Sequence, residues 1–309
     1  MPTPLRLLQR SVLALLAGLL AAPHAGAQAP SVAPAAAPAR ALLWSVADAD
    51  SRLFLLGSVH ALPAGTDVLP GPAADAFAGA EALAFEVDLD LAPAAASAAV
   101  SRALAADGLT LSKRLGPRDT ARLRVRLREA GLDLDAADAF EPWFVALLIG
   151  NAVGGATGYS AAAGVDVQLF ARAGVEGKAR LGLETIDDQI GALDGLPMKD
   201  QLALLRSALD DDESGDGLAG LVAAWQAGDA DALAALIADG LGTTVALRQR
   251  VLTDRNARWV PQIEAFLART GPDGVPEDVL VVVGAGHLVG PGSVVEMLRA
   301  RGLDVVRVE

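Results

Sequence analysis

The sequence predicts an α/β fold: a central mixed β-sheet flanked by helices, with a large helical insertion in the middle of the chain. Short apolar runs typical of strands stand near both ends of the chain, at 42–46, 53–56, 82–87, 279–283 and 303–308. Two long stretches between them, 92–173 and 198–270, have a helical pattern. A chain of 309 residues is also long enough to bury a sizeable core.

The elements follow one another in a consistent order. The runs 42–46 and 53–56 are close enough along the chain to form a hairpin. A short helix and the strand 82–87 come next, and the helical insertion follows. A short strand at 181–183 precedes a helix that begins at Thr185, where Thr185 and Asp188 resemble a capping box. The strand 279–283, a helix over 293–301 and the strand 303–308 complete the sheet.

Composition excludes several classes of protein. The net charge of −13 leaves no basic excess to neutralise phosphates, which argues against a nucleic-acid partner. The chain has no cysteine, so disulfides, thiolate metal sites, cysteine nucleophiles and a lipoprotein anchor are excluded. A hydrophobic share of 52% with 20% charged residues is incompatible with a disordered chain.

The first 27 residues have the pattern of a secretory signal peptide. Arg6 and Arg10 precede an apolar run over 11–22, and Ala25-Gly26-Ala27 fits the cleavage pattern. The alternative is an uncleaved anchor. Cleavage near Ala27 predicts a periplasmic or secreted protein with no later transmembrane segment. The Ala/Pro-rich stretch 28–40 is predicted to be a flexible linker, and 41–309 a single domain.

Two histidines stand out as candidate site residues. His24 belongs to the predicted signal peptide, whereas His60 and His287 each lie in Gly-x-x-His directly after a strand-like run. Ligand crevices of open α/β sheets lie at the carboxyl ends of strands. If the two strands are parallel neighbours, the two imidazoles converge. The alternative is two separate, hydrogen-bonded structural histidines.

Glu86 could join these histidines. It lies in the strand-like run Ala-Phe-Glu-Val-Asp, and a buried carboxylate is costly without a partner. Two imidazoles and one carboxylate form the usual three-ligand set of a catalytic metal with an open position for water. A mixed nitrogen and oxygen set without thiolates suits Zn, Mn or Co, and the sequence does not choose among these divalent metals.

For four further residues, a structural interpretation competes with a role in the site. Asp166 opens a helix, where a carboxylate is favoured by the helix dipole. Glu184 follows a strand and either caps the next helix or belongs to the site. On spacing alone, Lys178 is interpreted as a loop charge and Arg255 as an exposed residue of an amphipathic helix. A zincin helix and a nucleophile elbow are both absent from the sequence, and Gly284–Gly290 lacks the spacing of a dinucleotide loop.

Taken together, the motifs resemble those of the TraB/GumN family, which also contains the TIKI metalloproteases. The resemblance runs from Leu42 to Val308 and is carried by Leu-Leu-Trp at 42–44, Gly57-Ser58-Val59-His60 with Leu62-Pro63, Glu86, Glu141-Pro142-Trp143, Gly164-Val165-Asp166, Gly177-Lys178, Leu183-Glu184-Thr185 with Gln189, Arg255-Asn256, and Gly284-Ala285-Gly286-His287.

This resemblance implies a fold related to the erythromycin-esterase and ChaN-like folds. It implies that His60, Glu86 and His287 line one pocket, with Arg255 as a further candidate. It also makes Asp166, Lys178 and Glu184 stronger candidates than spacing alone does. TIKI-like members imply divalent-metal-dependent peptidase activity. TraB-type members are associated with shutting down peptide pheromones, and the name of GumN-type members, taken from a xanthan gum gene cluster, establishes no activity.

The sequence therefore predicts an exported metal-dependent hydrolase that acts on peptides or other small substrates. His60 and His287 would bind the metal, Glu86 would be the third ligand or the general base, and Arg255 would stabilise the oxyanion. One alternative is a metal-free, esterase-like hydrolase in which His60 is the general base. The other is a protein that binds a peptide or glycan in the same pocket without turnover.

The predicted signal peptide has a direct test. The exported protein should begin near Gln28, because signal peptidase cleaves after a small-x-small pattern. Intact-mass measurement of protein recovered from the periplasm or medium checks this expectation. Retention of residues 1–27 in the recovered protein would instead indicate a membrane-anchored form.

Overall fold

A computed structural model of the protein describes residues 40–48, 51–91, 98–210, 216–240, 245–271 and 273–308. The predicted signal peptide 1–27 and the predicted linker, apart from Arg40, lie outside the described residues. Within the described ranges, no helix combines the length and the apolar composition that a membrane span requires.

Six strands in the described part of the chain form one mixed sheet: β1 Leu43–Ala47, β2 Arg52–Ser58, β4 Ala82–Phe85, β6 Ala179–Gly182, β7 Val279–Gly284 and β8 Asp304–Val308. Their order across the sheet is β6-β4-β7-β2-β1-β8. Strands β6, β4, β7 and β2 run parallel, whereas β1 is antiparallel to both β2 and β8. This arrangement confirms the predicted α/β fold with a mixed sheet.

The central strands owe their position to continuous apolar sequence. Every residue of β4 and of β7 is buried. Strands covered by helices on both faces need such runs, whereas half-exposed strands alternate apolar and polar residues. Strand β4 ends at Phe85, so Glu86 lies just beyond the strand, where its side chain is free to turn toward the edge of the sheet.

Helices surround the sheet and form the insertion. The α-helices are α1 Pro72–Gly79, α2 Leu111–Leu115, α3 Pro117–Glu129, α4 Leu134–Ala137, α5 Pro142–Ala156, α6 Val165–Val175, α7 Ile186–Asp194, α8 Met198–Asp210, α9 Asp216–Ala227, α10 Ala230–Gly240, α11 Val245–Arg248, α12 Asp254–Phe266 and α13 Val294–Ala300. A π-helical turn, Gln249–Thr253, joins α11 to α12. The predicted capping box at the start of α7 is present, with Thr185 and Asp188 satisfying each other's backbone N–H groups.

Two buried apolar clusters lie in the described part of the chain. The first surrounds the sheet and includes most of its strand residues. The second lies among α2–α5, α7 and α8, around residues such as Leu123, Phe144 and Leu205. Leu89, which follows β4, packs against both clusters. The helical insertion thus has its own core beside the sheet, and the assignment of 41–309 to a single domain stays a prediction.

A short ladder that the sequence did not predict connects the insertion to the sheet. Strand β3, Leu62–Pro63, pairs antiparallel with β5, Tyr159–Ser160, inside a stretch predicted to be helical. The chain then enters α6, and Val165 N donates to the Val59 carbonyl at 3.0 Å. A Cβ on Gly164 would lie only 2.5 Å from the His60 carbonyl oxygen. Glycine is therefore required for α6 to begin this close to the end of β2.

This close approach gives a stability prediction. Gly164→Ala should lower the free energy of unfolding by roughly 1–3 kcal/mol, because the new methyl group collides with backbone atoms that cannot rotate away. Chemical denaturation of the purified protein measures the change. Gly150→Ala in α5 is the matched control, since a Cβ there meets no atom within 4 Å and alanine favours the helix. Equal stability of the two variants would contradict the steric account.

Candidate active site

The carboxyl ends of the parallel strands bring most of the predicted residues together. His60 follows β2, Glu86 follows β4, Glu184 follows β6, and His287 ends a 3₁₀ turn, Ala285–His287, directly after β7. Because these four strands are parallel neighbours, their ends meet at one edge of the sheet, where α/β proteins form ligand crevices. The structure thus favours convergence of the two histidines over two separate structural roles.

Gly284 marks the centre of this cluster. A Cβ on Gly284 would lie 3.0 Å from Glu86 Oε1, 3.3 Å from His60 Nε2 and 3.6 Å from His287 Cδ2. The Gly284 N–H also donates to Glu86 Oε1 at 2.7 Å. A larger residue at 284 would fill the small space where the three side chains meet.

His60 is paired with Asp166 on the first turn of α6. Its Nδ1 lies 3.2 Å from Asp166 Oδ1, and its side chain is 48% exposed, against 12% for Asp166. Partial desolvation of the ring lowers the pKa of His60, but the Asp166 carboxylate, helped by Glu86, outweighs this effect and raises the pKa to about 9. This pair stabilises the fold below pH 6.5, and that contribution is lost as the pH rises through about 9. Asp166 thus does more than favour a helix terminus.

Arg255 is buried at the middle of the cluster, in contrast to the exposed position expected for an arginine of an amphipathic helix. Its side chain is 5% exposed. The guanidinium Nε and Nη2 donate to Glu184 Oε1 at 2.9 and 2.6 Å, and Nη2 also donates to Glu86 Oε2 at 2.6 Å. Nη1 donates to the Val251 carbonyl and to His287 Nε2, both at 3.1 Å. All five N–H bonds of the guanidinium are therefore used inside the cluster.

Glu86 is held as a carboxylate by these donors. Burial acts to raise its pKa, but Arg255 and the Gly284 N–H, together with the two histidines, bring the pKa well below its usual range. A third donor, Gln189 Nε2 on α7, lies 3.1 Å from Glu86 Oε2. Both carboxylate oxygens are thus occupied by protein hydrogen bonds.

Glu184 belongs to the cluster and does not cap α7. Besides the bonds from Arg255, its Oε2 accepts from Trp259 Nε1 at 3.2 Å and lies 3.5 Å from Arg258 Nη2. Burial raises the pKa of Glu184, and the neighbouring Glu86 charge adds to this effect against the attraction of Arg255. The two buried glutamates share the charge of one buried arginine, Arg255. These three side chains therefore carry a net negative charge when both glutamates are ionised.

His287 is neutral, and both of its ring nitrogens have hydrogen-bond partners. Its Nδ1 lies 2.6 Å from Asn256 Oδ1, and its ring packs against Trp259 with centroids 4.4 Å apart. Burial lowers the pKa of His287, and the positive charge of Arg255 lowers it further against the attraction of Glu86, to about 3. His287 is thus an uncharged hydrogen-bonding residue at neutral pH.

Lys178 lies away from the cluster. It precedes β6 and so lies at the amino end of the parallel strands, opposite the site. Its Nζ donates to the carbonyls of Ala78 and Ala80 at 3.1 and 2.6 Å, at the end of α1. This arrangement agrees with the interpretation from spacing, in which Lys178 is a structural loop charge.

Two amide residues of the cluster, Gln189 and Asn256, were not singled out from the sequence, and neither was Trp259, whose Nε1 donates to Glu184. Gln189 donates to Glu86, and Asn256 contacts His287. The available signal was their presence in the family motifs, next to Glu184 and Arg255 respectively. An uncharged amide carries no chemistry that points to a site by itself.

The side chains predicted to bind a metal have other partners in this geometry. Among the described residues, no group of three or more His, Asp or Glu side chains is arranged to hold a metal ion. The donor atoms of two of the three predicted ligands are already engaged, since Arg255 binds Glu86 Oε2 and His287 Nε2 and the Gly284 N–H binds Glu86 Oε1. A cation would have to displace a buried guanidinium of the same charge sign. The residues as arranged do not fit a metal, and metal binding stays a prediction from the ligand types and the family resemblance.

Comparison with known proteins identifies one family. The sequence model of the TraB/PrgY/gumN family matches residues 42–307, which is most of the chain. No curated protein and no solved structure matches the chain. The matched range contains every residue of the cluster and confirms the family predicted from the motifs.

The ion pair of His60 gives a pH prediction. In the folded protein, the His60 ring should titrate above 6.5, near 9, because the Asp166 carboxylate favours the imidazolium. In Asp166→Asn the pKa should fall to about 6.5 or below, since burial remains while the main attraction is removed. NMR titration of the His60 ring protons measures both values. An unchanged His60 pKa in the variant would show that Asp166 does not set the charge state of the ring.

Proposed function

We propose that this chain, which belongs to the TraB/PrgY/gumN family, is a hydrolase in which His60 moves protons during cleavage of an acyl bond. One observation carries the proposal. The His60 ring is about half exposed, its Nδ1 is paired with Asp166, and its Nε2 faces the buried cluster beside Gly284. A histidine held by a carboxylate at one nitrogen and open at the other is the usual arrangement of a general acid–base catalyst.

His60 is also the member of the cluster that a substrate can reach. The side chains of Glu86, Glu184, Arg255 and His287 are between 3% and 9% exposed, against 48% for His60. A substrate that enters from solvent therefore contacts His60 first. The buried residues act on the reaction through charge and position.

The proton steps follow from this arrangement. The neutral form of His60 takes a proton from water at Nε2, and the resulting hydroxide adds to the acyl carbon to form a tetrahedral oxyanion. When the oxyanion collapses, the bond to the leaving group breaks, and the imidazolium returns the proton to the leaving atom. Asp166 stabilises the imidazolium in between. The raised pKa of His60 means that the neutral, active form increases as the solution becomes alkaline.

We propose a role for Arg255 that differs from the predicted stabilisation of an oxyanion. An oxyanion-stabilising residue needs a free donor, and the five N–H bonds of Arg255 are engaged within the cluster. We assign Arg255 to positioning: it holds Glu86 and Glu184 at the edge of the sheet and keeps the negative charge of Glu86 near His60. That charge favours the imidazolium that forms during turnover.

The substrate class and the compartment come from the sequence. We propose a peptide or other small acyl compound as substrate, on the resemblance to peptidases of the TIKI type. We propose action in the periplasm or outside the cell, on the signal pattern at 1–27. Metal-dependent turnover and binding without turnover are the competing outcomes of the experiment below.

The test combines one substitution with removal of metals. His60→Gln keeps the side-chain volume and polarity but cannot exchange a proton, so kcat should fall by about 10²–10⁴-fold. Hydrolysis of a peptide library and of simple esters is measured with and without a chelator, with elemental analysis of the protein. Chelation should leave the wild-type rate unchanged. Lys113→Gln, at an exposed position in α2, is the control and should retain full activity.

The other outcomes separate the competing functions. Chelator-sensitive hydrolysis together with bound Zn, Mn or Co would replace this proposal with the metal-dependent hydrolase. Tight binding of a peptide or glycan without cleavage would favour the binding protein. Full activity of folded His60→Gln would remove His60 from the mechanism.

A further inference from the structure

Asn256 is almost completely buried beside Arg255 on α12, at 1% exposure. Its amide has two partners. Nδ2 donates to the Gly292 carbonyl at 2.8 Å, and Oδ1 lies 2.6 Å from His287 Nδ1. A carbonyl oxygen accepts hydrogen bonds and never donates them, so the contact with Gly292 fixes which end of the amide is nitrogen.

The orientation of the amide determines the position of the proton on His287. Because Asn256 presents an oxygen, His287 Nδ1 must carry the hydrogen that joins the two atoms. On the other side of the ring, Nε2 lies 3.1 Å from Arg255 Nη1, which is always a donor. His287 Nε2 must therefore be bare and accept. The two contacts agree on one neutral tautomer, protonated on Nδ1.

We infer that Asn256 is a positioning residue that locks His287 in the Nδ1–H tautomer, so that Nε2 accepts from Arg255 and directs the guanidinium toward Glu86. The chain of donors has a single direction, from His287 to Asn256 on one side and from Arg255 to His287 on the other. In the opposite tautomer, two N–H groups would face each other between His287 and Arg255, and a lone pair would face Asn256 Oδ1.

This role would affect turnover through geometry. If His287 no longer accepts from Arg255, the guanidinium loses one of the contacts that set its orientation, and the Glu86 carboxylate moves relative to His60. Displacements of about 1 Å in a catalytic group cost on the order of a hundredfold in rate. The effect on catalysis rests on the proposed hydrolase function, whereas the tautomer itself does not.

NMR of the exported protein, labelled with 15N in histidine, tests the inference independently of activity. Protonated and bare ring nitrogens have well-separated 15N shifts, and His60→Gln assigns the two rings. Wild-type His287 should show a protonated Nδ1 and a bare Nε2 between pH 6 and 8. A bare Nδ1 in the wild type would overturn the inference, whether or not any variant folds.

Substitutions then separate positioning from simple packing. Asn256→Leu leaves Arg255 as the remaining contact that selects the tautomer, so the two tautomers should become mixed, and kcat should fall by about 10–100-fold with a much smaller change in KM, because ground-state binding does not use Asn256. Asn256→Asp still offers an oxygen to Nδ1 and should keep the proton there, with activity above that of Asn256→Leu. Asn151→Leu is the matched control, since Asn151 is exposed and its amide bonds only within α5. An unchanged His287 tautomer in Asn256→Leu would refute the assignment.

Discussion

The buried guanidinium of Arg255 is the interaction on which the site depends. It joins the ends of β4 and β6, the turn after β7 and the π-helical turn before α12, through Glu86, Glu184, His287 and the Val251 carbonyl. Removing two carboxylates and a guanidinium from water costs several kcal/mol per ion, and good geometry must offset this cost. Here every donor of the guanidinium is matched to an acceptor. The arrangement fixes the charges near His60 and leaves no N–H group of Arg255 free to bind a substrate.

The sheet topology explains why such a cluster can exist. Four parallel neighbours deliver their carboxyl ends to one edge, so residues from distant parts of the sequence meet without long loops. The π-helical turn before α12 adds a local contribution, because π turns carry an extra residue and are frequent at functional sites. Gly164 contributes from the other side, since its missing side chain lets α6 approach His60 closely enough for Asp166 to pair with it. The sheet topology, the π-helical turn and the close approach of α6 to His60 thus assemble the site.

Much of this arrangement could be predicted from the sequence. Strand-like runs before His60 and His287, each with a glycine three residues earlier, supported the hypothesis of convergence at a sheet edge, on the condition that the two strands are parallel neighbours. Burial of Arg255 could not be predicted, because helical periodicity puts a charged residue on a polar face and does not reveal a carboxylate brought in from another strand. The partner of Asp166 was hidden for the same reason, since it depends on where α6 begins. The metal site was predicted from the types of ligand residue, whereas whether a metal fits depends on which ligand atoms already have hydrogen-bond partners.

The separate core of the helical insertion has a consequence for the dynamics of the protein. A set of helices packed mainly on one another can open as a cooperative unit, or foldon, while the sheet stays folded. The contact of Gln189 with Glu86 crosses from that unit to the charged edge of the sheet, and Leu89 packs against both apolar clusters. Local opening of the insertion would then expose one face of the charged cluster around Arg255 without breaking the hydrogen bonds of Arg255. The free energy of local opening would control access to the site, whereas the free energy of unfolding the sheet would control the integrity of the site.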